Sequence, residues 1–226
     1  MGQLVQLSEL NALPDAWRTR LEDVIPLLPS CRIVICYGSR WAGIPRPSSD
    51  YDMLMIGDES LVDQQVVELR RSVKAVWPDI DWRWLSVRGA RANRLINPTL
   101  NCAIQTGGVL GDLTLLGEMV PIPIVSILGA MQDVIAELED LRQWDDPWGD
   151  DGREYRQLAK RLVVLEQTLV GIADGQKLSK EVQRIMESPD MENLLVQRAE
   201  QIMRRACNSA ANAGDHALEY AIHGKP

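Results

Sequence analysis

The residues in this chain with the strongest claim to chemistry are Gly38-Ser39 and, after ten intervening residues, Asp50-Tyr51-Asp52. Each group sits where an apolar run stops or starts: Arg32-Ile33-Val34-Ile35-Cys36-Tyr37 ends at the glycine, and Asp52-Met53-Leu54-Met55-Ile56 begins at the second aspartate. Side chains alternate along a strand, so carboxylates two residues apart point to one face and can share a cation. Magnesium suits such a pair, because it takes oxygen ligands, one or two from protein carboxylates and the rest from phosphates and water. A glycine lets the main chain approach a phosphate closely, and a serine adds a hydroxyl and an N–H donor. Either half alone is commonplace, a turn or a solvated acidic loop. Their conjunction at two strand ends reads as a phosphate cradle beside a metal clamp.

The elements that must position these groups follow from the apolar pattern. Helical spacing of Leu10, Leu13, Trp17, Leu21, Val24 and Ile25 predicts a helix over 8–25, with Pro14 in its first turn. Strands are expected at 32–37, 52–56 and 81–87, and a helix over 61–76 lies between the second and third. Gly43, Pro45 and Pro47 make 40–49 a loop or a helix start. From 95 to 116, Pro98, Gly107, Gly108 and Gly111 predict irregular or short-helix material. Beyond Pro121-Ile122-Pro123 helical periodicity returns over 125–142, 153–173, 178–187 and 190–212. The expectation is an α+β protein: a small mixed-sheet domain over 1–120, followed by an all-α helical bundle over 121–226.

On residues 32–56 the sequence resembles the polymerase-β-like nucleotidyltransferase superfamily, in which a strand ends in Gly-Ser and a second strand bears Asp-x-Asp. Tyr37 to Asp52, with Pro47-Ser48-Ser49 before Asp50, looks most like the streptomycin and spectinomycin adenylyltransferase branch. Toxin-type members often carry an arginine just before the loop glycine, where this chain has Ala42. The resemblance implies transfer of AMP from ATP to a hydroxyl, with pyrophosphate released and two magnesium ions on Asp50 and Asp52. Gly38 and Ser39 would hold phosphates, with Arg40 and Ser49 beside them. It also implies a third carboxylate on the next strand, as metal ligand or base: Asp81 is favoured over Asp79, which follows Pro78 in turn-like sequence. That branch tends to use Glu at this point, and no Glu stands in this strand.

In the helical half, Trp144-Asp145-Asp146-Pro147-Trp148-Gly149-Asp150-Asp151 resembles an acidic segment with which the same branch receives polycationic drugs. Trp148, Asp150 and Asp151 would meet an ammonium-rich sugar through its charge and its cation–π contacts. A linker rich in helix-capping aspartates would read the same way. The implied partners are a nucleoside triphosphate and a small hydroxylated, cationic acceptor such as an aminoglycoside. Two alternatives stand beside this: a toxin-like enzyme that modifies tRNA or protein, and an inactive member of the fold used as a binding or antitoxin module.

Composition limits the classes further. Net charge is −8, whereas proteins that grip long nucleic acids usually present a basic field, so extended DNA or RNA is disfavoured. No stretch approaches a membrane span, and the first residues lack a signal-like apolar run, so cytoplasmic residence is expected. Cys31, Cys36, Cys102 and Cys207 form no Cys-x-x-Cys pair, and are expected to be free, mostly buried thiols. His216 and His223, near the C-terminus, are read as solvated. Oligomeric state is not legible.

Overall fold

The computed structural model describes Val5 and residues 7–28, 30–47, 49–58, 61–94, 96–118, 121–143 and 152–212. The protein is α+β, and its chain divides into two compact units: Met1–Asn93 with Ala103–Val120, and Arg94–Cys102 with Pro121–Pro226. Among the described residues no helix is long and apolar enough to cross a membrane.

The first unit opens with a 3-10 turn, Leu7–Ala12, and then α1, Asp15–Val24, in place of one helix over 8–25. Pro14 is the reason: it lacks an N–H, and stands as the cap of α1 in an extended conformation. Strand β1, Cys31–Tyr37, runs into a single helical turn, α2, Gly38–Trp41. Next come β2, Tyr51–Gly57, the helix α3, Asp63–Val76, and β3, Ile80–Ser86. The short helix α4, Val87–Asn93, follows, then α5, Pro98–Thr106, whose residues up to Cys102 belong to the second unit, and then a fourth strand, β4, Gly108–Gly111. This strand corrects the irregular reading of 95–116. Its two flanking glycines carry no β propensity, and Val109 and Leu110 are held in place by pairing with Ile35 and Val34 of β1.

The sheet order is β3-β2-β1-β4, with β1 antiparallel to both neighbours and β2 parallel to β3. Register sorts the side chains into two faces. Val34, Cys36, Met53, Met55, Ile80 and Trp82 share a core with Trp17, Leu21 and Val24 of α1, Leu69 and Val73 of α3, and Trp77. On the other face Ile33, Ile35, Leu54 and Ile56 are buried, and α4 packs on β2 and β3. Each such fully buried side chain contributes about 1.5–3 kcal/mol. The sheet is therefore a stiff platform for whatever stands at its rim.

In the second unit α6, Ile124–Gln143, α7, Arg153–Leu169, α8, Gly175–Met186, and α9, Met191–Asn212, bury a common core that includes Met131, Leu158, Leu162, Ile185, Leu195 and Ile202. α7 stops at Leu169, short of the expected 173, because Gly171 turns the chain at φ +67° and Asp174 caps α8 with a bond from the Lys177 N–H at 2.9 Å. The buried Gln167 clasps that turn: its amide donates to the Asp174 carbonyl and accepts from the Asp174 N–H, both at 3.1 Å.

Candidate functional site

The site grows from the ends of three strands. β1 and β2 pair Tyr37 with Asp52, and β2 and β3 pair Asp52 with Asp81, so one residue of each strand stands in a single row across the sheet. Neighbouring strands lie about 4.8 Å apart and paired residues point to the same face, so the two carboxylates are side by side. Further along each strand that face is apolar, at Ile35 and Leu54, apart from Arg83 on the edge strand. At the row itself the face turns polar, which is where water, a cation or a phosphate can reach it.

Gly38 closes the row. Its φ is +82°, which an L side chain rarely adopts, and a Cβ there would lie 1.9 Å from Asp52 Oδ2 and 2.7 Å from its Cγ. The main chain of the Gly-Ser turn thus abuts the Asp52 carboxylate in a space that only glycine leaves open. Sequence reasoning expected this glycine to admit a phosphate; in the structure the group beside its Cα is the Asp52 carboxylate.

The loop after this turn is tied back by Ser49. The Ser39 hydroxyl donates to Ser49 Oγ at 3.0 Å, the Arg46 N–H donates to the same oxygen at 2.9 Å, and the Ser49 N–H donates to the Arg46 carbonyl at 3.0 Å. Arg40 holds the other side, donating from Nε to the Ser49 carbonyl at 2.6 Å while its guanidinium lies 4.4 Å from the centre of the Tyr51 ring. Tyr51 in turn meets Trp17 and Trp77 edge-on, each at 4.9 Å between ring centres. Arg40 and Ser49, read from sequence as phosphate neighbours, are joined to each other here and shape the loop.

Asp50 lies one residue before β2 and is exposed, and Asp79 lies in the turn before β3, where its carbonyl accepts the Tyr51 N–H at 2.9 Å. Asp81, by contrast, is a strand residue facing Asp52. Among the described residues no group of three or more His, Cys, Asp or Glu side chains is gathered as a metal cage. What is present is an oxygen-only pair, Asp52 and Asp81, beside a main-chain turn. That donor set fits magnesium, which commonly binds one or two carboxylates and completes its shell with phosphate and water.

Two groups were missed as site members by sequence reasoning. Tyr37 was read as the last residue of a strand and the first of the resembling segment, with no role of its own, but its phenol is pushed up to about 12 by burial, with the charges of Asp52 and Asp81 adding to the shift and Arg83 opposing it. Arg83 lies two residues after Asp81 on the same face of β3, and its charge acts on Tyr37 against those of the two aspartates. Alternation was a usable signal for both; the pairing partner of each strand was not. Trp148, Asp150 and Asp151 lie outside the described residues, as do His216 and His223. Cys31, Cys36 and Cys102 are buried and Cys207 is half-buried, all as free thiols, and burial pushes the Cys31 thiol up to about 12. Burial likewise pushes the Cys36 thiol up, so neither Cys31 nor Cys36 is a reactive thiolate near neutral pH.

Comparison with known protein families finds no matching family model, and comparison with curated proteins finds no match.

Proposed function

We propose that the protein is a magnesium-dependent nucleotidyltransferase that moves AMP from ATP to a hydroxyl of a small acceptor and releases pyrophosphate. The observation that carries this reading is the Asp52–Asp81 row closed by the Gly38-Ser39 turn, a pair of hard oxygen ligands abutting a main chain free of side-chain bulk. With it go a nucleotidyltransferase domain in the sheet-bearing half, a substrate-binding role for the helical half and a cytoplasmic setting.

In this reading Asp52 and Asp81 hold magnesium, with Asp50 at the exposed rim as a further ligand. When bound, the metal supplies charge neutralisation on the phosphates and on the attacking and leaving oxygens. The N–H groups at Gly38 and Ser39 orient the triphosphate, and the bonds that Ser49 and Arg40 make keep that turn in place before substrate arrives. The acceptor hydroxyl attacks the α-phosphorus in line, the bond to the bridging oxygen breaks, and pyrophosphate leaves. A carboxylate beside the hydroxyl, Asp81 by its position, accepts the hydroxyl proton. The acceptor class follows from the resemblance of residues 144–151: small, hydroxylated and cationic, with aminoglycosides the first to be tried.

The test is incubation of wild type and Asp52→Asn with labelled ATP, magnesium and either an aminoglycoside panel or bulk tRNA. Label should pass to a small molecule with wild type and not with Asp52→Asn, whose thermal unfolding should stay near wild type. Turnover retained in Asp52→Asn would sink the mechanism, and label in tRNA alone would reject the small acceptor.

A further inference from the structure

We propose a second binding site, for an oxyanion, at the free edge of β3. A cavity of about 140 Å³ lies there, lined by Arg70 and Lys74 of α3 and by Ile80, Asp81 and Trp82 of β3. β3 is the outermost strand of the sheet. Side chains alternate, so Asp81 and Trp82 project to opposite faces, and a cavity bordered by both lies at the edge between them. An edge strand also directs half of its N–H groups outward with no strand to receive them. The wall therefore offers main-chain donors as well as two cations.

Arg70 and Lys74 are four residues apart, so they stand one turn above each other on α3. Neither is ion-paired with a described residue. The Arg70 guanidinium lies 5.9 Å from the centre of the Trp82 ring, a cation–π contact that holds its fork over the cavity wall. Two cations face one carboxylate, leaving local charge of one sign in a chain whose net charge is −8. A cation would be repelled by both arms, and a neutral ligand would leave their donors unused. A phosphate or phosphate monoester uses the Arg fork, the Lys point charge and the edge N–H groups together. The cavity is smaller than the roughly 300 Å³ at which drug-sized ligand pockets begin. It takes an anionic group, not a whole nucleotide.

The site shares Asp81 with the proposed metal pair, so its test reads the binding of phosphate alone, without magnesium, ATP or turnover. The ¹⁵N-labelled full chain is titrated with inorganic phosphate and with glycerol phosphate, following the Trp82 indole N–H and the main-chain amides of 70, 74 and 80–82. Saturable shifts confined to these groups are expected. Arg70→Gln and Lys74→Gln, both at exposed positions, should each weaken binding by roughly tenfold. Asp81→Asn, which removes the opposing charge, should tighten it, and Asp52→Asn should leave it unchanged. Equal affinity for the two ligands identifies a free ion as the occupant, and tighter binding of the monoester identifies a group carried by a larger molecule. No saturable shift, or identical titrations of wild type and both cation variants, overturns the proposal. So does a silent phosphate titration alongside an acidic peptide that shifts all of β3, which would make the edge a strand-pairing surface. If phosphate binds while no acceptor is ever labelled, the transferase reading falls and this site stands.

Discussion

Substituting Gly38 with alanine separates the close approach at Asp52 from the ordinary cost of a left-handed backbone, because Gly43 provides a control in the same loop. Both glycines have positive φ, +82° and +76°, but a Cβ at position 43 has nothing within 4 Å, whereas one at position 38 meets Asp52 Oδ2 at 1.9 Å. Alanine in the left-handed region costs about 1–2 kcal/mol at either position. At position 38 the carboxylate must also retreat by roughly 1.5 Å to reach a normal contact of about 3.5 Å, and an off-rotamer side chain adds about 1 kcal/mol. In a chain of this size the extra destabilisation lowers Tm by about 2–4 °C more for Gly38→Ala than for Gly43→Ala. Function should divide the pair more sharply. Magnesium demands oxygens at about 2.0–2.1 Å, and a shift of about 1 Å at a reacting centre costs about 100-fold. Calorimetry with magnesium and ATP should show binding for Gly43→Ala and its loss for Gly38→Ala, with Tm read on the same samples. Wild-type binding by Gly38→Ala, or equal loss in both variants, would refute the coupling of this turn to Asp52.

Two further outcomes test the electrostatics. Tyr37 should stay protonated until about pH 12, read from its own ring-carbon NMR signal, and Asp52→Asn should lower that value, since one of the two charges holding it up is gone. A phenol whose pKa is higher folded than unfolded loses its contribution as pH rises, so stability should fall between about pH 10 and 12. In the helical unit Arg198 bridges Glu166, at 3.0 Å from Nε, and Glu181, at 3.1 Å from Nη1, with its side chain only 14% exposed. Arg198→Met should cost about 1–3 kcal/mol by urea denaturation, against about 0–0.5 for Arg204→Met, whose pair with Glu200 is exposed. Burial alone would raise the Glu181 carboxyl, but bonds from Arg198 and Arg184 hold it below its ordinary value, so the wild type should lose stability as pH falls below about 4.5 and Arg198→Met should lose less.

The sequence made some of this architecture readable and hid the rest for physical reasons. Strands β1 to β3 and the four long helices announce themselves because apolar spacing is a local property, and each forms within two residues of its expected start or three of it where a cap intervenes. β4 was hidden because Gly108-Val109-Leu110-Gly111 has no strand signal of its own, and the partner that makes it a strand lies more than seventy residues earlier. The pairing of Asp52 with Asp81 was hidden for the same reason. Alternation says which face each occupies, but the register between two parallel strands is set by how α3 packs between them in sequence, through Leu69, Val73 and Trp77. The bond of Arg40 was hidden in the same way: its partner is the carbonyl of Ser49, nine residues away across the loop.

At the candidate site the hydrophobic ladder of β1 and β2 gives out at one level, in a row that Asp81 of β3 continues. Ile35 and Leu54 are buried, and one step toward the rim the same face presents Tyr37, Asp52 and Asp81. Charges at that level cost little desolvation, because solvent reaches the rim, yet their backbone is held by the ladder beneath them. The loop after the turn is held not by apolar burial but by hydrogen bonds that converge on Ser49 and by the stacking of Arg40 on Tyr51, which rests on Trp17 and Trp77 in the main core. The arrangement thus transmits core rigidity to a polar turn through an aromatic stack.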